Sequence, residues 1–285
     1  MPANYSIWGV WVLAALLAAP AAAQQAPPTS ASRSYTIFFR GTPIGREQLT
    51  VRPDATGITI SGESRMALPV NFLTRHAEIR YRTDWTPESF VLDASIDMAD
   101  LMLRTTFANG TATSEGTNAG RPIQATQPMQ SRTLILADLF FGAYEALGRL
   151  FVDFGTGGTF HAFSGPGTDV PFRVLNTATE RMQAGTSTFN VRRYELLFTR
   201  PDGDININLS TDEAGGLIRV SVPVQGIDVI REDVATSTAR TQIFSNPGDE
   251  AVVIPSVGFN LGATITRPKA SAAAGASPGS PGSGG

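Results

Sequence analysis

His76-Ala77-Glu78-Ile79-Arg80-Tyr81-Arg82-Thr83-Asp84-Trp85 is the stretch that decides the fold. One parity reads Ala77, Ile79, Tyr81, Thr83, Trp85, and the other reads His76, Glu78, Arg80, Arg82, Asp84. Successive side chains of a strand point to opposite faces, so a period of two with one dry and one wet parity reads as a half-buried strand. Strands of that kind belong to antiparallel sheets, because parallel sheets are covered on both faces.

The same rhythm extends in both directions. Phe90, Leu92, Ala94, Ile96 and Met98 alternate with Asp93, Ser95 and Asp97. Ile205, Ile207 and Leu209 alternate with Asp204, Asn206, Asn208 and Ser210. Short breakers punctuate these runs at Gly41-Thr42-Pro43, Pro53-Asp54-Ala55-Thr56-Gly57, Thr86-Pro87, Asn109-Gly110, Pro201-Asp202-Gly203 and Gly215-Gly216. Strand, turn and strand at this spacing predict a mainly β domain over residues 33–245, built as a curved antiparallel sheet or an open, barrel-like meander.

One segment leaves the rhythm. Phe140, Ala143, Tyr144, Leu147 and Leu150 fall at helical spacing within residues 138–151, and Gly155-Thr156-Gly157-Gly158 ends the pattern. A single amphipathic helix is expected there, between strands of residues 34–127 and 158–240, covering the open end or concave face of the sheet. With the aromatic tracts Tyr35-Thr36-Ile37-Phe38-Phe39 and Leu139-Phe140-Phe141, it admits a lid made by Phe140, Tyr144 and Leu147 over a hydrophobic ligand. Ordinary core packing accounts for the same residues.

The amino-terminal residues bear on compartment. An apolar run from Ile7 to Leu17 ends in Pro20 and Ala21-Ala22-Ala23. It is too short to span a bilayer, which needs about 20 apolar residues. Ala21 and Ala23 suit a signal peptidase cutting before Gln24, so residues 1–23 read as a signal peptide and the protein as exported, periplasmic or secreted. Residues 24–32 form a polar leader, and residues 269–285 form a low-complexity tail expected to be disordered.

Composition narrows the chemistry. A net charge of -3 without a Lys/Arg cluster disfavours nucleic acid and anionic lipid as partners, and no stable membrane insertion is expected after cleavage. The absence of cysteine removes disulfides, thiolate metal sites and a cysteine nucleophile. Only His76 and His161 are available for imidazole chemistry, and neither has a ligand neighbour at metal spacing. No serine has glycine at both offsets of G-x-S-x-G. The carboxylate pairs Asp97/Asp100 and Glu232/Asp233 fall at exposed-parity or turn positions. Residues 155–158 lack the Lys-Ser/Thr of a phosphate loop. No catalytic, cofactor-binding or metal-ligating residue is expected, and no cofactor.

Two stretches resemble known proteins. Phe39-Arg40-Gly41-x-x-Ile44-Gly45, Leu49-Thr50-Val51, Ile60-Ser61-Gly62 and Glu78-x-x-Tyr81-x-x-x-Trp85 resemble exported bacterial β domains related in shape to the curved sheets of periplasmic lipoprotein carriers. Asn246-Pro247-Gly248-Asp249-Glu250-x-Val252-x-Ile254-Pro255-x-x-Gly258-Phe259-Asn260-Leu261-x-Ala263-Thr264-x-Thr266-x-Pro268 resembles the opening hairpin of secreted α/β-hydrolases, within residues 246–268. That family's oxyanion loop, nucleophile elbow and triad are missing, so no catalytic residue is carried over. The resemblance implies a non-catalytic accessory module of an α/β-hydrolase-like protein, either a truncated gene product or an accessory domain standing alone, with a hydrolase domain as partner. The alternative is a stand-alone periplasmic binder or carrier of a hydrophobic molecule such as a lipid.

Overall fold

A computed structural model describes residues 30–67, 71–138, 140–184, 187–235, 243–244, 250–256 and 259–265. The expected signal segment with Ala21, Ala23 and Gln24, residues 24–29 of the leader, and the low-complexity tail lie outside the described residues, whereas Ala31 and Ser32, expected in the disordered leader, begin β1 by pairing with Val51 and Thr50. Eight strands open the chain as an antiparallel meander: β1 (Ala31–Phe39), β2 (Thr42–Asp54), β3 (Gly57–Met66), β4 (Phe72–Arg82), β5 (Pro87–Ile96), β6 (Ala99–Ala108), β7 (Thr111–Asn118) and β8 (Arg121–Pro128). Then come β9 (Thr133–Ile135), the helix α1 (Tyr144–Phe154), β10 (Thr159–Phe163), β11 (Val170–Ala184), β12 (Ser187–Phe198), β13 (Ile205–Thr211), β14 (Leu217–Val222) and β15 (Ile227–Arg231).

β15 pairs antiparallel with β1, with Ile37 opposite Val229, and so joins the two strand sets into one sheet that runs from β8 at one edge to β9 at the other. Every pairing along that path is antiparallel except β9 with β10, which is parallel. The mainly β, open-sheet expectation therefore holds, with one parallel pair that period-two alternation does not distinguish.

The sheet curls without closing. Edge strand β9 lies inside the curve, where the Tyr81 hydroxyl accepts from the Ile135 N–H at 2.8 Å and lies 3.3 Å from the Ile135 carbonyl. At the opposite edge, Gln127 of β8 donates to the Thr168 carbonyl at 2.9 Å and accepts from the Gly167 N–H at 2.5 Å. Side chains thus span the gap where ladder hydrogen bonds stop.

Ala77, Ile79 and Tyr81 are buried, whereas Glu78 and Arg80 are half-buried and Arg82 is exposed. Thr83, Trp85 and Met98 depart from the expected alternation: Thr83, on the dry parity, is exposed because β4 ends at Arg82. Trp85 is buried, but it lies in the turn beyond β4 with φ 63°. Met98 is 89% exposed, because it and Asp97 are the two residues between β5 and β6 and both take positive φ. Two-residue hairpin loops of this kind demand that conformation at both positions.

The helix lies on the concave face and begins later than its spacing predicts. Phe140 is extended, a single 3-10 turn spans Phe141–Ala143, and α1 follows. The residues before it are held elsewhere: the Leu136 N–H donates to the Phe163 carbonyl, extending the β9–β10 pairing. Past residue 151 the helix continues to Phe154 and stops at Gly155, whose φ of 76° suits a residue without a Cβ. Ala146, Leu147, Leu150 and Phe151 of the helix are buried with Ile79, Leu196, Leu209 and Val220 of the sheet in one continuous core.

Beyond β15, Ile243–Phe244 pairs with β11, and Glu250–Ser256 pairs antiparallel with Phe259–Ile265 as a separate two-stranded sheet. Among the described residues no helix is long and apolar enough to cross a membrane.

Candidate functional site

Two buried carboxylates position the helix, and both interrupt an apolar pattern. Glu47 occupies the inward parity of β2 ahead of Leu49 and Val51, and is 1% exposed. Its two oxygens accept the N–H groups of Phe141 (3.1 Å) and Gly142 (2.5 Å), which no preceding side chain caps. Burial pushes its carboxyl up to about 8, and the two N–H donors oppose that rise.

Glu145 sits in the helix stripe with no exposed surface. It accepts from Arg33 of β1 at 2.6 Å, from Arg149 one turn on at 2.8 Å and from the Leu217 N–H of β14 at 2.6 Å. The Tyr35 hydroxyl donates to the Leu217 carbonyl beside them, and burial first and Glu145 second raise its pKa. A buried charge this fully hydrogen-bonded anchors the helix against both strand sets.

With its beginning fixed in this way, the helix borders a cleft of about 550 Å³ at the end of the sheet where the 3-10 turn enters. Phe141 and Tyr144 form the helix side, and Phe198, Ile205 and Ile227 form part of the apolar sheet side. Asp138, Asp169, Arg200 and Asp202 bring charge to the same cleft. Arg200 is engaged by Asp202 through two hydrogen bonds of 3.0 and 2.9 Å, and Asp169 by His161 Nδ1 at 2.9 Å. Three carboxylates against one guanidinium leave the cleft with an acidic excess.

Tyr144 has a phenol raised above its ordinary pKa by burial and then by Asp138, so it stays a neutral O–H donor. Its hydroxyl has no hydrogen-bond partner among the described residues. Burial likewise raises the Asp138 carboxyl, with Arg200 opposing.

Of the three candidate lid residues, only Tyr144 lines this cleft. Phe140 and Leu147 have no exposed surface and are core residues. The sequence reading missed Glu47, Glu145, Asp138 and Arg200. A signal existed for the first two, since a carboxylate inside an apolar parity or stripe needs a partner.

The remaining candidates are accounted for by local partners. Asp97 accepts the Asn71 N–H, Asp100 pairs with Arg75, Glu232 with Arg46 and Asp233 with Arg231. His76 is exposed. Among the described residues the His161–Asp169 pair has no serine or threonine hydroxyl on the other ring nitrogen, and Ser164 is bonded to Thr168. Among the described residues no group of three His, Cys, Asp or Glu side chains is placed to hold a metal. The fold and cleft define a class: a mainly β protein whose open, curved sheet encloses a helix and leaves an apolar cleft at the helix entrance. Set against known protein families, curated proteins and solved structures, the chain matches none.

Proposed function

We propose that this chain is an exported, non-catalytic β domain that binds an amphiphilic small molecule in the cleft beside Tyr144. The observation that carries the reading is the 550 Å³ cleft with apolar walls and an unpartnered tyrosine hydroxyl. Its volume lies within the roughly 300–1,000 Å³ of small-molecule sites, which combine apolar walls with a few placed polar groups. The apolar part of the ligand lies along Phe198, Ile205 and Ile227. The polar end meets the Tyr144 hydroxyl and Asp138. Because the cleft has an acidic excess, that end is neutral or cationic, as in a monoacylglycerol or a long-chain amine, and fatty acid anions are disfavoured.

Native mass spectrometry of the full chain with monolaurin tests the reading. A one-to-one adduct is expected, weakened at least tenfold by Ile205→Arg, with lauric acid binding less well at neutral pH. No adduct, or an adduct indifferent to Ile205→Arg, overturns it. A second reading, an accessory module beside an α/β-hydrolase-like domain, draws on the hairpin Glu250–Ser256/Phe259–Ile265, which pairs only with itself. A frame encoding G-x-S-x-G downstream of Gly285 in the gene supports that reading, and its absence removes it.

A further inference from the structure

The other end of the helix borders a second cavity, about 510 Å³, which the binding reading above does not use. Leu150 and Phe154 of α1 reach it, and Trp85, Phe107 and Phe160 supply aromatic walls. Arg82 and Arg132 line it as cations and Asp84 as an anion.

Two observations set this cavity apart from a packing gap. The first is backbone conformation. Trp85 (φ 63°) and Arg132 (φ 60°) both occupy the left-handed region, which disfavours bulky side chains and in which glycine is the usual choice. Trp85 follows Thr83 and Asp84 in the turn, with its N–H on the Arg82 carbonyl at 3.0 Å. Arg132 closes the turn that leads into β9. Positive φ also occurs at turns away from the cavity, at Arg40, Asp97, Met98 and Ala119, but here two turns far apart in sequence bring such a residue, one of them a bulky tryptophan, to the same wall.

The second observation is the balance of donors and acceptors. The carboxylates around the cavity are engaged: Asp84 accepts the Thr86 N–H at 2.9 Å, and Asp153 accepts the Trp85 indole N–H at 2.8 Å. The guanidiniums are only partly engaged. Arg132 lies over the Phe160 ring at 4.8 Å and donates one N–H to the Gly157 carbonyl, which leaves most of its five donors unused. The Arg82 side chain makes no hydrogen bond or close ion pair among the described residues, and its charge acts on Asp84 only at longer range.

The geometry points to a second binding site in this cavity, for a small organic anion with a flat or acyl apolar body. Its carboxylate or sulfonate takes the free donors of Arg82 and Arg132, which form strong charge-assisted bonds to such groups. Its apolar body lies among Trp85, Phe107 and Phe154. This end therefore selects anionic heads, opposite to the acidic cleft at the helix entrance.

Trp85 also reports on the site. The sequence has three tryptophans, so Trp8→Phe with Trp11→Phe leaves Trp85 as the single emitter in the full chain. The probe is 8-anilinonaphthalene-1-sulfonate, a flat anion, with uncharged N-phenyl-1-naphthylamine as its comparator. Titration is expected to give saturable quenching of Trp85 by the sulfonate, with a Kd at least tenfold lower than for the comparator. Arg82→Gln is expected to raise the sulfonate Kd about tenfold, and Ile205→Arg in the other cleft to leave it unchanged. Arg132→Gly relieves the strained backbone, so the thermal midpoint is expected to hold while sulfonate affinity falls about tenfold. A sulfonate Kd within twofold of wild type in both Arg82→Gln and Arg132→Gly overturns the assignment. Equal affinity for the uncharged comparator does the same.

Discussion

Replacing Glu47 by glutamine tests the way the helix is fastened. Glu47 is fully buried, and its carboxyl is raised from an ordinary 4.5 to about 8 by burial, against the N–H groups of Phe141 and Gly142. With the folded value above the unfolded one, the folded chain holds a proton that the unfolded chain releases between pH 4.5 and 8. The contribution of Glu47 to stability is then fully present below about pH 4.5 and is lost as pH rises through about 8. At about 1.4 kcal/mol per pH unit that interval sets a ceiling of about 5 kcal/mol, and relaxation of the site brings the expected change to roughly 2–4 kcal/mol.

Glutamine stays neutral throughout. Its carbonyl accepts one of the two helix N–H groups, while its amide presents a donor to the other, which costs about 1–2 kcal/mol. Urea unfolding of both proteins from pH 5 to 9 measures the difference. The wild type is expected to be the more stable at pH 5, with that advantage shrinking and reversing by pH 9. A difference constant across the range, or one that grows in favour of the wild type as pH rises, refutes the argument. The second result means that the two N–H donors outweigh burial and keep Glu47 ionised.

Three further substitutions probe the packing of sheet and helix. Ile79→Asp places an unpaired carboxylate at a position with no exposed surface and is expected to cost about 5 kcal/mol or more, enough to unfold a domain of ordinary stability. Arg80→Asp on the opposite face loses its bonds to Asp54 and Glu88 and is expected to cost far less, so equal shifts in a denaturant titration contradict the register. Gly148→Ala sets two effects against each other. Alanine favours the helix by about 1 kcal/mol, but its Cβ meets the Gly215 carbonyl oxygen at 2.2 Å and Thr211 Cγ2 at 2.5 Å. Because that oxygen belongs to the backbone and cannot swing aside, a net loss of roughly 1–3 kcal/mol is expected, and a raised thermal midpoint disproves the close helix–sheet approach.

How far the sequence carried the reading differs from element to element. The alternation through Ala77, Ile79 and Tyr81 names the buried face of β4 without any knowledge of its neighbours, since side-chain direction along a strand is local covalent geometry. Turn chemistry is equally local: Asn109-Gly110 marks the β6–β7 hairpin before any partner strand is known, and both residues take positive φ. The helix was legible in its stripe, whereas its first residue was not, because that boundary depends on β9 being drawn alongside β10 and on Glu47 from β2. The candidate cleft was less legible still. Tyr144, Asp138 and Arg200 come together only because β12 and β13 curl toward the helix entrance.

What the sequence determined by itself is therefore the mainly β character, the inward parity of the strands and the existence of one enclosed helix, all consequences of periods of two and 3.6 residues. Tertiary structure alone decided the partners. Glu47 finds the Gly142 N–H 95 residues away and Arg33 finds Glu145 at a separation of 112. It also decided which residues face a cavity: Tyr144 lines the cleft, while Phe140 and Leu147, in the same apolar stripe, fill the core. The physical reason is that periodicity names the face a side chain occupies, but what meets that face depends on how far the whole sheet curls, which no local stretch encodes.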